Sequence, residues 1–214
     1  MNGINSFYYE QKNNFINKTC ERITKEIDTN TLNRALGKRL CVIFDLDDTL
    51  IKSPPDEDDE DDDDYYEDDG VVDRTCEIFA RMRKLFDKVN EVHTVYIVTA
   101  REDSSKSRED TIKTLEQHEL KIKPHNLILM DRMMDRTCYK SFINFKHDTY
   151  ENIRNQHAKF FSEGQHVECV LYRIGDRWWD VVHKDSIRAN ENAYVYTHEE
   201  RTPKTGSFKV PQFC

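Results

Sequence analysis

Long apolar runs are missing from this sequence. Runs such as 41–44 and 95–98 are strand-length, far short of the roughly 20 residues a helix needs to cross a bilayer. A membrane-spanning protein is therefore not expected. The opening residues, Met1 to Ser6, lack a basic stretch followed by an apolar one, so no secretory leader is expected. The setting read from this is cytoplasmic, with the nucleus as the alternative. C-x-x-C spacing is also missing among the six cysteines, Cys20, Cys41, Cys76, Cys138, Cys169 and Cys214. Without an oxidising compartment they read as reduced thiols, with Cys41 and Cys169 as small buried hydrophobes. The eight histidines show no ligand spacing, which argues against a zinc site.

What is present fits one domain of ordinary size, 214 residues with room for a full core. The net charge of −9 misleads: twelve acidic residues lie in 56–69, and without them it becomes +3. An overall repulsion of nucleic acid would thus rest on one loop. The composition of that tract cannot bury apolar surface, so residues 53–70 read as an acidic flexible insertion, open to a basic partner.

The pattern along the chain alternates. Within 1–38, Phe15, Ile16, Cys20, Ile23 and Ile27 recur every three or four residues, which predicts an N-terminal helical segment packed on the core. Buried strands are predicted at 39–45, 94–99, 126–130 and 167–174, with a short fifth at 193–196. Helices are predicted at 72–89, 104–118 and 147–161. This alternation predicts an α/β, Rossmann-like fold, a parallel sheet flanked by helices, over 39–214. In such sheets ligands bind beyond the carboxyl ends of the strands. The residues at those ends are Asp45, Thr99, Asp131 and Asp176.

The first strand runs into Asp45-Leu46-Asp47-Asp48-Thr49-Leu50. Two carboxylates so close cannot both stay charged cheaply, so a cation or a raised pKa must relieve them. Hard oxygen ligands suit Mg²⁺, which commonly accompanies phosphate.

The stretch 44–50 resembles the first motif of the haloacid dehalogenase (HAD) superfamily. Val95-Tyr96-Ile97-Val98-Thr99 is similar to its second motif, and Gly175-Asp176-Arg177-Trp178-Trp179-Asp180 to its fourth, G-D-x-x-x-D. Thr99-Ala100-Arg101-Glu102, followed by Arg108, Thr111 and Leu115, resembles the class B-like acid phosphatases, which include the plant vegetative storage proteins. Phe208-Lys209-Val210-Pro211 resembles their closing motif, and Ala100 departs from their usual glycine. The resemblance implies a HAD-type phosphatase with a short acidic insertion instead of a large cap domain.

It also implies roles. Asp45 would attack phosphorus. Asp47 would protonate the leaving oxygen and then deprotonate the hydrolytic water. Thr99 would hold a phosphoryl oxygen. Asp176 would bind Mg²⁺ with the Asp45 carboxylate and the Asp47 backbone carbonyl, with Asp180 in support. The lysine of the third motif would be Lys146, with Lys140 as the alternative. Arg101 would reach either the phosphate or a carboxylate, and Ala100 would line the phosphate site. Trp178 and Trp179 are read as core residues or as a stacking platform.

The function expected is thus Mg²⁺-dependent hydrolysis of a phosphomonoester through an aspartyl-phosphate, on a small-molecule or macromolecular substrate. One alternative is a nucleic-acid end-processing phosphatase, since Asp176-Arg177 is similar to the fourth motif of polynucleotide kinase-phosphatases. The other is a non-catalytic scaffold or storage protein on the same fold.

Overall fold

The computed structural model describes residues 17–18, 20–21, 23–25, 28, 39–53, 74–159, 169–177, 180 and 207–209. Side chains at 39, 74–78, 139, 158–159, 169–170 and 207–209 lie outside that description. So do the acidic tract at 56–69, Trp178, Trp179 and the strand expected at 193–196.

Among the described residues, five strands form one sheet: β1 (Arg39–Phe44), β2 (Thr94–Asp103), β3 (Leu127–Asp131), β4 (Cys169–Gly175) and β5 (Ser207–Lys209). Their order is β3-β2-β1-β4-β5, and every pairing is parallel. The fold is α/β and Rossmann-like. A described fifth strand is Ser207–Lys209, with Gly175 opposite Lys209; the segment at 193–196 lies outside the described residues. A strand so short gains its place by pairing with β4 and carries little periodic signal of its own.

Parallel strands covered on both faces need apolar residues at every position. In β1, Leu40, Val42 and Phe44 join one core with Met82, Phe86 and Val89. Cys41 and Ile43 join a second core with Phe145, Tyr150 and Ile153. The first core is covered by helix α1 (Arg74–Val92) and helix α2 (Ser105–Gln117). Phe79, Met82, Phe86 and Val89 of α1 are buried at spacings of three and four, the period of one helix face. Ser104 caps α2 by accepting the Ser107 amide at 3.3 Å. The described residues between 17 and 28 are helical, and Ile23 is fully buried in the same core.

The second face is covered by helix α3 (Tyr139–Lys159). It begins eight residues before the expected start at 147. The stripe Phe142–Lys146–Tyr150–Ile153 explains the difference. Its apolar members pack on the sheet, and a lysine in the middle of the stripe hides the period.

The chain runs outward from β1 to β3, then returns to place β4 on the other side of β1. That reversal opens a crevice at the carboxyl ends of β1 and β4, where Asp45 and Asp176 lie.

Candidate active site

Phe44 pairs with Ile97 on one side and Ile174 on the other, and the Asp45 amide donates to the Ile174 carbonyl at 2.9 Å. Asp45 is therefore clamped at the very end of the sheet. The turn that follows is held tightly. The Leu50 and Ile51 amides both reach the Leu46 carbonyl, at 2.9 and 3.1 Å, and the Asp48 amide donates to the Ile51 carbonyl at 2.7 Å. Asp48 takes a left-handed backbone, φ 56°, a conformation that aspartate tolerates better than most residues. Its carboxylate accepts the Ser53 amide at 3.1 Å. Thr49 ties this turn to the next strand end, its hydroxyl accepting the Asp176 amide at 3.1 Å.

Asp45, Asp176 and Asp180 are all buried, and one carboxylate oxygen from each lies within 4.8 Å of the others. Gly175 is what allows this approach. A Cβ there would meet the Asp180 Cβ at 2.4 Å and its Oδ2 at 2.5 Å, so the glycine of G-D-x-x-x-D makes room for the final aspartate. The Arg177 amide donates to Asp180 Oδ2 at 3.1 Å and holds it in place.

Lys146 supplies the countercharge. Its side chain is 1 % exposed, and Nζ lies 2.5 Å from Asp45 Oδ1 and 2.9 Å from Asp180 Oδ1. It also donates to the Val98 carbonyl at 2.6 Å. Lys140, in the first turn of the same helix, is exposed and about 9 Å along the axis. Burial alone would lower the Lys146 pKa, but the Asp180 and Asp45 carboxylates outweigh it and hold the ammonium well above its usual value. Burial pushes the Asp45 carboxyl up; Lys146 opposes the shift, while Asp180 and Asp176 add to it. Burial, followed by repulsion from Asp180, pushes Asp176 up to about 7.

One lysine does not satisfy three carboxylates. Neither Asp176 Oδ2 nor Asp180 Oδ1 accepts a hydrogen bond from any described residue, although Arg177 Nε lies 3.2 Å from the former and Lys146 Nζ 2.9 Å from the latter. Buried oxygens that accept nothing are rare in native proteins. An all-oxygen donor set with surplus negative charge fits a hard divalent cation. The three residues that could hold it are Asp45, Asp176 and Asp180.

The Asp47 carboxylate stands apart from that group. Arg101 grips it with two bonds, Nη2 to Oδ1 at 2.7 Å and Nε to Oδ2 at 3.0 Å. The Thr99 hydroxyl reaches the same carboxylate at 3.3 Å and accepts the Arg101 amide at 3.2 Å. Of the two roles open to Arg101, the guanidinium is thus found on a carboxylate. Ala100 is half-buried beside it. Asp131 is not brought in: it is exposed, and its side chain turns back to the Met133 amide at 2.9 Å.

Sequence reasoning passed over Thr49 as the tie between two strand ends, and over the Val98 carbonyl as a lysine acceptor. Thr49 carried a weak signal, as a hydroxyl flanked by Asp48 and Leu50 that needs a partner once the turn is buried. A backbone carbonyl carries none. A cavity of ≈ 930 Å³ lined by Asp87, Asn90, Ile112, Leu115, Glu119 and Leu127 shares no residue with the aspartate group. No protein-family model and no curated protein sequence matches the chain.

Proposed function

We propose that the chain is a Mg²⁺-dependent phosphomonoesterase that works through an aspartyl-phosphate on Asp45. One observation carries this reading. A buried carboxylate ends the central strand, beside a buried lysine, and belongs to a three-aspartate group in which two oxygens accept no hydrogen bond from the described residues. The HAD-like motifs at the same strand ends support it.

Asp45, Asp176 and Asp180 would hold Mg²⁺, with the Asp47 backbone carbonyl as a further ligand. When bound, the ion neutralises charge on the nucleophile and the phosphoryl oxygens. Lys146 holds Asp45 in orientation and offsets part of the same charge. An Asp45 oxygen attacks phosphorus, and the bond from phosphorus to the ester oxygen breaks. Asp47 gives a proton to that departing oxygen. In the second half Asp47 takes a proton from water, the water oxygen attacks phosphorus, and the bond to Asp45 breaks. Inorganic phosphate leaves and Asp45 is regenerated. Thr99, whose hydroxyl lies 3.3 Å from the Asp47 carboxylate, would turn to donate to a phosphoryl oxygen.

The purified protein should hydrolyse p-nitrophenyl phosphate with Mg²⁺ and stop with EDTA. Asp45→Asn should form no phosphoenzyme. Asp47→Asn should form it with this good leaving group and then hydrolyse it slowly, by about 10²–10⁴-fold. Turnover that survives exhaustive chelation, or wild-type activity in Asp45→Asn, would sink the reading.

A further inference from the structure

We propose that Arg101 is a positioning residue that holds the Asp47 carboxylate out of the cation group and beside the Thr99 hydroxyl. The inference rests on the phosphatase reading of the site. Asp45 and Asp47 are only two residues apart on one turn, yet only Asp45 belongs to the three-carboxylate group. An aspartate so near a cation tends to ligate it, and a ligated carboxylate is a poor proton carrier. Something must hold Asp47 away, and the structure supplies it in three parts.

The first part is the two-pronged grip of Arg101 on Asp47, a fork that matches both carboxylate oxygens. The pair is mostly screened from water, with side chains 19 % and 27 % exposed. The second is a bulge in β2. Thr99 pairs with Leu129 and Glu102 with Met130, which leaves Ala100 and Arg101 without partners on β3. Such bulges redirect side chains at strand ends, and this one carries Arg101 to Asp47. The third is an anchor on α2. Arg101 Nη1 donates to the Thr111 hydroxyl at 3.4 Å, and that fully buried hydroxyl donates to the Ser107 carbonyl at 2.7 Å. With its amide on Thr99 and its guanidinium on Thr111 and Asp47, Arg101 is committed before substrate arrives. A residue kept free to bind phosphate would not be engaged so fully.

The test is Mg²⁺ binding by titration calorimetry, alongside turnover, on the full chain. Arg101→Met should release Asp47 toward the cation and tighten Mg²⁺ binding by about tenfold, the low end of what changes around metal ligands produce. The gain should vanish in the Arg101→Met, Asp47→Asn double variant. kcat for p-nitrophenyl phosphate should fall while KM and inhibition by inorganic phosphate stay near wild type. Thr111→Val, which removes only the anchor, should shift both quantities in the same direction by less, and it serves if Arg101→Met does not fold. Unchanged Mg²⁺ affinity in these variants would overturn the inference, and so would a loss of phosphate inhibition matching the loss of kcat, which would make Arg101 a phosphate ligand. A wild-type protein that binds no Mg²⁺ and hydrolyses nothing would overturn the phosphatase reading itself.

Discussion

The Lys146 ammonium donates to Asp45 and to the Val98 carbonyl and forms an ion pair with Asp180. Its charge is worth more there than at the surface because the surroundings are poorly polarisable. Lys140 has no such setting. Lys146→Met should therefore reduce turnover by about 10²–10³-fold, the scale seen when one preorganised electrostatic group is removed. Lys140→Met should leave turnover at wild type and stability within about 0.5 kcal/mol, as for most surface changes. Steady-state kinetics at saturating Mg²⁺ check the pair, and a larger loss at Lys140 would transfer the role. Two lysines six apart were both open from the sequence, since spacing alone does not say which faces a carboxylate. Burial on the apolar stripe of α3 separates them.

Among the elements, the described helical residues between 17 and 28 bury apolar side chains against the core. Ile23 is fully buried, and Cys20 Sγ sits 3.7 Å from Met82 Sδ. The polar link from Arg81 to Asn17, at 2.6 Å, is only partly buried. Ile23→Ala should destabilise the protein by about 2–5 kcal/mol, through lost burial and the cavity left behind. Asn17→Ala should cost about 1 kcal/mol. Thermal denaturation reads both, and an Ile23→Ala melt equal to wild type would show that the helix does not brace the core. This docking was legible in the three-to-four spacing of Cys20 and Ile23. The β2 bulge was not, because a bulge exists only relative to the partner strand's register.

At the scale of the whole molecule, the aspartate group makes stability depend on pH, and the proposed Mg²⁺ site would couple it to divalent cation as well. Without a cation, burial and the neighbouring Asp180 push Asp176 up to about 7, against 3.8 for an ordinary aspartate, and Asp45 is shifted in the same direction. Between those values the folded state holds protons that the unfolded chain has released. Stability therefore falls as pH rises through that window. Lys146, held above its usual value, adds no pH dependence there, because its stabilisation is fully present until alkaline pH. The EDTA-treated protein should melt at lower temperature at pH 8 than at pH 5.5, with roughly 2–4 °C for each kcal/mol. Mg²⁺ should restore the melting temperature at pH 8 and do little at pH 5.5, where it competes with protons. Melts at both pH values, with and without Mg²⁺, check this, and a cation effect independent of pH would contradict it. By itself the sequence determined the strand cores, the α/β alternation and the aspartates at the strand ends, because continuous apolar runs and the residues that stop them are local properties. Only the tertiary structure decided which lysine meets Asp45, that Asp180 rather than the Asp47 side chain completes the three-carboxylate group, and that Arg101 grips Asp47. Those outcomes depend on distances between segments far apart in the chain, set by sheet register, helix docking and one bulge.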